Sequence, residues 1–319
     1  MFVSFLHSAI RFSSIFIFGS TGETITEKAG HLNLGIPGVV CMGALGGCFG
    51  AQTYIASLSD ISQMNPFLAV FIPLLFAILF GVIMGFIYSF FTVTLRCNQN
   101  VVGLTITTFG VGAYGVFTQG ALLNKDGFPA LAKFFSYGFM PEGINWFGDL
   151  FLSYGTLVYL AFGIAIIASI VLKRTRVGLN VIAVGESPAT ADAAGVNVTK
   201  YRYLCTIIGS AIAALGGLFF IFDYLGGYIE YNLDEYGWLA VALVIFTIWR
   251  PNWGILGSLV FSILYMLSIK LNFERKVNEI IKLLPYIVTI LVLIITSLIN
   301  KRETQPPTSL GLNYFREER

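Results

Sequence analysis

The sequence predicts an all-α fold: a polytopic membrane helical bundle with about nine transmembrane helices (8–10), broken or re-entrant segments and a short cytoplasmic coupling helix. Three observations carry this. Of 319 residues, 56% are hydrophobic and only 11% are charged, where a soluble domain has about a quarter charged. Mean hydropathy is +0.80, so the chain cannot dress a globule of this size in a charged skin. The few charges are separated by apolar gaps long enough for a helix to cross the hydrocarbon core. Soluble enzymes, nucleic-acid binders and disordered scaffolds are excluded. The net charge of +2 says nothing about partners; the placement of the charges says more.

The gaps set the spans. Lys28 to Asp60 leaves 31 uncharged residues, Asp60 to Arg96 leaves 35, and Arg96 to Lys125 leaves 28. Spans are expected near 3–20, 34–56, 67–95, 101–120, 152–172, 203–222, 237–250, 253–270 and 283–300. Backbone polar groups in lipid must be satisfied within the segment, which requires helices or a closed barrel. Runs such as Phe76-Ala77-Ile78-Leu79-Phe80 do not alternate with period two, so the barrel is rejected.

Short loops rich in Lys and Arg lie in the cytoplasm. With loop 173–202 and tail 301–319 cytoplasmic, that side collects 12 basic residues and the other six, with the N-terminus outside. Asp223, Glu230, Asp234 and Glu235 then form an acidic external patch. The first apolar segment has no basic n-region and no small-x-small site, so it is expected to stay in the mature chain. Cys41, Cys48, Cys97 and Cys205 lack metal or redox spacing, and His7 and His31 are unpaired. No metal site and no cofactor is expected.

Three stretches are not ordinary spans. Residues 22–38 are polar and Gly-rich between two apolar segments, and Gly35, Pro37 and Gly38 disfavour a continuous helix. If the stretch lies at membrane depth, Asn33 either binds substrate or satisfies freed backbone groups; a plain cytoplasmic turn is the alternative. Loop 173–202 has five basic and two acidic residues, net +3, around Glu186-Ser187-Pro188-Ala189-Thr190-Ala191-Asp192-Ala193-Ala194-Gly195. Ser187 suits an N-cap, Pro188 the first helical position and Gly195 the stop. Such a short helix is marginal alone and carries no apolar stripe for a lipid surface, which favours docking against another protein. The stretch 237–254 has small residues at 240 and 242 and a tight turn at Arg250-Pro251. Arg11, eight residues inside an apolar segment, needs a partner or water. It holds part of a substrate, pairs with a buried carboxylate such as Glu23 or Glu27, or snorkels outward.

Together these segments resemble the permease subunits of bacterial ABC importers of the branched-chain amino acid, ribose and simple-sugar superfamily, nearest its nucleoside branch linked to basic membrane lipoproteins. Gly22-Glu23 through Gly38 looks like that branch's "G-x-x-x-S-E-R-x-G-x-x-N-x-G-x-E-G" element, and Asn100-Val101-Val102-Gly103-Leu104 like "N-x-V-V-x-G-L". Val184-Gly185-Glu186-Ser187-Pro188 through Val198 looks like "G-E-N-P-x-A-A-x-x-A-G-I-N-V". Gly237 to Leu243 and Leu284 to Thr289 match later elements, and Pro307 to Glu317 resembles "P-x-x-L-G-x-x-Y-x-R-E". The order holds from about residue 9 to 318. Pro37 stands where the family usually has Glu, Lys28 where it has Arg, and Ser187 where it has Asn.

The resemblance implies one permease domain over 1–319 in a bacterial cytoplasmic (inner) membrane. It implies a second permease subunit, often a non-identical homologue, an ABC ATPase subunit that hydrolyses ATP, and an extracytoplasmic lipoprotein that delivers a nucleoside or sugar. No nucleic acid is involved. The chain has no G-x-x-x-x-G-K-[ST] run and is expected to be a transport subunit without its own ATPase chemistry. Glu186, Ser187, Pro188, Ala191, Ala194 and Gly195 are the ATPase-coupling candidates. Arg11, Asn33, Asn100, Thr105 and Thr108 are candidates for a polar substrate route. Asp223 and Glu230 are candidates for docking the binding protein. An ion-coupled secondary transporter and an intramembrane enzyme are the competing classes. The sequence offers the latter no acid–base cluster of His, Asp and Glu within its spans.

Overall fold

The computed structural model describes residues 2–119, 123–138, 146–270, 283–299 and 305–315. Among these there are helices and no strands. The long helices are α1 (Phe2–Lys28), α2 (Ile36–Ala56), α3 (Pro66–Ser89), α4 (Gln99–Gln119), α7 (Thr156–Arg174) and α10 (Val198–Leu218). These six are long and apolar enough to cross a membrane. Short helices α5 (Phe128–Phe135) and α6 (Trp146–Phe151) lie between α4 and α7. Between α7 and α10 come α8 (Arg176–Glu186) and α9 (Pro188–Ala193). After α10 come α11 (Asp234–Phe246), α12 (Pro251–Lys270) and α13 (Leu284–Ile299).

Against the nine spans expected, six helices among the described residues have the length and hydropathy of a crossing, and α11, α12 and α13 follow as further apolar helices. Helix α11 has 13 residues, about 20 Å of rise, too short for a core of about 30 Å. Helix α1 departs the other way. It continues through Gly22, Glu23 and Glu27 to Lys28, so only Ala29–Gly35 is broken, and Pro37 sits in the first turn of α2, where a proline costs no hydrogen bond. The basic stretch 270–282 and tail residues 301–304 and 316–319 fall, apart from Lys270, outside the described residues.

Burial is inverted relative to a soluble bundle. On α3, Phe67, Phe71, Leu75, Leu79 and Ile83 are exposed, one turn apart, while Ala69, Pro73, Ala77, Gly81 and Gly85 are buried. Large apolar side chains face the surroundings and small ones face neighbouring helices. This is the pattern of a membrane bundle, where close backbone approach replaces a hydrophobic drive between helices. The buried helix at the centre is α10, against α1, α2 and α3. A Cβ at Gly22 would lie 2.2 Å from the Gly209 carbonyl oxygen, and one at Gly43 would lie 2.0 Å from that of Ala214. Backbone cannot yield at such distances, so both glycines set helix spacing.

Gly22→Leu is expected to destabilise the detergent-solubilised chain by about 1–3 kcal/mol through overpacking, whereas Gly112→Ala, with nothing within 4 Å of its Cβ, should be neutral to slightly stabilising. Fluorescence-detected thermal unfolding checks both; equal melting temperatures for the two variants would contradict this packing.

Candidate transport and coupling sites

The break between α1 and α2 is built to satisfy backbone. Gly30 takes φ +86° and ends α1, a conformation that favours glycine. The Leu32 N–H donates to Gln99 Oε1 (2.9 Å), and the Leu32 carbonyl accepts from the Tyr88 hydroxyl (2.7 Å). The Asn33 N–H donates to Glu23 Oε1 (2.9 Å), and the Gly35 N–H to Asn33 Oδ1 (2.9 Å). The Leu34 carbonyl accepts from Thr107 Oγ1 (2.7 Å). Of the readings open for Asn33, the geometry gives it the freed backbone. Its Oδ1 serves Gly35, and its buried Nδ2 has no protein partner. Tyr88, Gln99 and Thr107 were not singled out from the sequence, and Glu23 only as a partner for Arg11, because only the fold brings them to residues 32–35.

Glu27, also buried, accepts a short hydrogen bond from the Trp249 indole. Ile248 and Trp249 both take left-handed φ, +54° and +51°, a costly backbone for a β-branched and an aromatic residue. The α11–α12 turn is therefore held in a strained shape against the end of α1. His31 Nδ1 lies 3.1 Å from Thr206 Oγ1 on α10, and Tyr88 packs edge-on to the same ring.

Arg11 pairs neither with Glu23 nor with Glu27, which lie about 18–24 Å further along the helix axis. Its Nε donates to Asp223 Oδ1 at 3.1 Å, and its Nη2 to Ser136 Oγ at 3.2 Å and to the Asp223 carbonyl. Asp223 is wholly buried in the π-turn that ends α10. This removes it from the expected acidic surface patch: a carboxylate shielded from solvent behind Arg11 offers no docking surface. Glu230 stays partly exposed, its carboxylate accepting from the N–H of Tyr231.

On α4, Asn100, Thr105 and Thr108 are exposed, and the two threonine hydroxyls donate to carbonyls one turn back. They do not converge with Asn33 or Arg11. With Gly112, Gly115 and Gln119 they form a stripe at helical spacing that no part of this chain covers within the described residues.

Residues 186–195 are helical from Pro188 to Ala193, directly after α8. Gly195 takes φ +85°, and the Val196 N–H reaches back to the Ala191 carbonyl (2.9 Å), closing the helix as its glycine foretold. Ser187 occupies the N-cap position, but its hydroxyl pairs with Thr190 Oγ1 instead of a backbone N–H. Ala191 packs against Val184 and Val198, whereas Ala194 is exposed. Glu186 accepts from the Thr308 hydroxyl at 2.7 Å. Beside this helix lies an open polar notch of about 600 Å³, lined by Arg96, Asp192, Lys200 and Tyr314 among others.

A bundle that packs through small residues, broken at a buried polar layer and carrying capped helices on its basic end, is the architecture of a transport subunit. The family model described as branched-chain amino acid transport system / permease component matches residues 5–293, and the chain belongs to that family. It is 30% identical to TsgC13 of Haloferax volcanii, whose name assigns it to glucose ABC transport, over 83% of this chain and 77% of that one. It is 28% identical to the nucleoside ABC transporter permease NupC of Lactococcus lactis over 96% and 95% of the two chains. It is 27% identical to the guanosine ABC transporter permease NupQ of Bacillus subtilis over 95% and 93%. A solved inward-facing metal-chelate type ABC transporter shares the fold, with TM-score 0.50, 13% identity, and coverage of 91% of this chain and 84% of that one. The chain is an ABC importer permease, an integral protein of the cytoplasmic (inner) membrane.

Breaking the Arg11–Asp223 pair is expected to be asymmetric. Arg11→Met strands a fully buried carboxylate and should cost about 3–5 kcal/mol. Asp223→Asn leaves an arginine that is 27% exposed and can reach water, and should cost less. Thermal unfolding of both variants tests the order, and Arg11→Met with Asp223→Leu should recover part of the loss.

Proposed function

We propose that this permease carries nucleosides into the cell, working with a second permease chain, a separate ATPase that hydrolyses ATP, and an extracytoplasmic lipoprotein that delivers the substrate. The observation that carries the reading is similarity over 95% or more of this chain to two permeases named for nucleoside and guanosine transport. A second permease from the same Lactococcus strain, NupB, also matches, over 31% of this chain, which supports a non-identical pair.

The route runs along the open face of α4. Asn100, Thr105, Thr108, Gly112 and Gly115 put polar and small residues on that face, beside the exposed Val101, Leu104, Phe109 and Val116. An Asn is costly against lipid, so the face suits a wet seam with the partner permease. Uncharged hydrogen-bonding groups suit ribose hydroxyls and a neutral base. Asn33 shapes the inner end of this route by holding the backbone of the break, and Arg11 holds its outer end as a structural pair. The partly exposed Glu230, with exposed Tyr228 and Tyr231, is the docking surface for the lipoprotein. Residues 186–195 are the element on which the ATPase docks. A second reading, uptake of a hexose, is favoured by the TsgC13 match.

The complete complex, reconstituted in vesicles with its lipoprotein, should accumulate purine nucleosides in preference to pyrimidine nucleosides, pentoses and glucose. Glucose uptake without nucleoside uptake would replace the first reading with the second. Leucine at 105 and 108 together should lower uptake about tenfold with unchanged expression. Ala194→Asp, at an exposed position, should uncouple ATP hydrolysis from transport without affecting insertion; normal uptake would remove 186–195 from the coupling role.

A further inference from the structure

Residues 305–315 do not trail from the bundle. The Ser309 N–H and hydroxyl both donate to the Gly185 carbonyl, at 3.0 and 2.6 Å. Thr308 binds Glu186, and the Tyr314 hydroxyl donates to Asp192 Oδ2 at 2.8 Å. These contacts reach α8 and α9. The Gly311 N–H donates to the Gly30 carbonyl at 3.2 Å, in the α1–α2 break. The Leu312 carbonyl accepts from Arg202 Nη1 (3.2 Å) at the root of α10 and from Gln99 Nε2 (3.4 Å) at the start of α4. Asn313 Nδ2 donates to the carbonyls of Arg96 (2.6 Å) and Cys97 (3.3 Å), and the Arg96 guanidinium lies 4.7 Å from the centre of the Phe315 ring.

One eight-residue segment, 308–315, therefore bonds four elements, two of which, the end of α8 and the α1–α2 break, already meet backbone to backbone at Gly185 and Gly30. Helix α9 has six residues and one buried side chain, Ala191. A helix that short does not hold its own position; the tail fixes it through Asp192 and, just before it, Glu186. The same segment is anchored by Arg202, which is 2% exposed. Gln99 joins the two ends of the arrangement, since its Oε1 also accepts from Leu32 in the break. A displacement of α8 pulls on the Gly30 carbonyl through the backbone bonds of Ser309 and Gly311, while α9 is linked through the Tyr314 side chain and the α3–α4 turn through that of Asn313.

We propose that residues 308–315 are a tether that makes α8–α9, the α1–α2 break and the α3–α4 turn move as one body, with Arg202 and Tyr314 as positioning residues. This rests on the reading of 186–195 as the ATPase-coupling element. The tether carries the ATPase stroke to the residues that shape the inner end of the route.

Two experiments on the assembled complex test it. Asn313→Cys places a thiol where the present side chain bonds the Cys97 carbonyl, and oxidation, verified by loss of both free thiols, joins tail to turn. A tether that never detaches predicts transport within about two-fold of the reduced sample; a fall of about tenfold or more, reversed by reductant, overturns the proposal. Conversely, removing residues 305–319 should abolish substrate-stimulated ATPase activity while basal activity stays within about two-fold; intact stimulation overturns it. Where that truncation does not assemble, Tyr314→Phe combined with Thr308→Val removes the links to α8–α9 and keeps the chain. It should lower substrate moved per ATP about three- to tenfold, and an unchanged ratio overturns the proposal. Hydrogen exchange separates this proposal from the coupling reading. If Ala194→Asp transports normally, that reading fails and the tether is judged on exchange alone. Faster exchange at both 29–35 and 184–196 in the tail variants supports the tether, and unchanged exchange at either segment overturns it.

Discussion

Seven residues, Ala29 to Gly35, leave helical backbone between two buried helices, and the peptide groups they free must find partners where water is scarce. The rest of the structure is arranged around that demand. Helix α1 must run past the expected end of its span so that Glu23 reaches the Asn33 N–H. Helix α3 must bring Tyr88, and α4 must begin so that Gln99 and Thr107 face inward. A single irregular segment thereby fixes the register of three helices.

The demand for small residues follows from the same layer. Helices that must deliver a short side chain such as that of Thr107 to neighbouring backbone have to lie close together. Gly103 would meet the Leu34 amide nitrogen at 2.8 Å if it carried a Cβ. The glycines on α1, α2 and α10 allow the same closeness elsewhere. Stability comes from van der Waals contact between backbones, and large apolar side chains are left for the surroundings.

Features confined to a short stretch of chain were legible in the sequence. The start and the Gly195 stop of the 188–193 helix, the break before α2 and the bulk of each long span were signalled by Gly, Pro and charge spacing. Pairings between distant residues were not. Arg11 announced that it needed a partner, but hydropathy could not choose Asp223, 212 positions away, over the nearer glutamates. Span count is hard to read for a related reason. An apolar run such as 237–246 reports that its residues avoid water, which a buried half-helix satisfies as well as a crossing one. The candidate route was read from residue type alone. The fold separates its members: Asn33 goes to the break, Arg11 to the opposite end, and Asn100, Thr105 and Thr108 to an open face. Thr107, between the last two in sequence, points the other way and is the one that bonds the break.

The two ends of the bundle are stabilised by different chemistry. At the Arg11 end, an ion pair with one member wholly buried joins α1 to the π-turn of α10. Separating it exposes an unpaired charge, so that end resists motion. At the basic end the links are many and mixed: backbone bonds such as Gly311 N–H to the Gly30 carbonyl stand beside bonds from the Arg202 guanidinium and to the carboxyl groups of Glu23, Glu27, Glu186 and Asp192, and each neutral one is worth about 1 kcal/mol net. The left-handed Ile248–Trp249 turn and the broken segment meet there. An importer that opens alternately to its two sides gains from such asymmetry. A single buried pair holds α1 to α10 at one end, while the other end spreads its links over α1, α4, α8, α9 and α10, so that no one bond decides its shape.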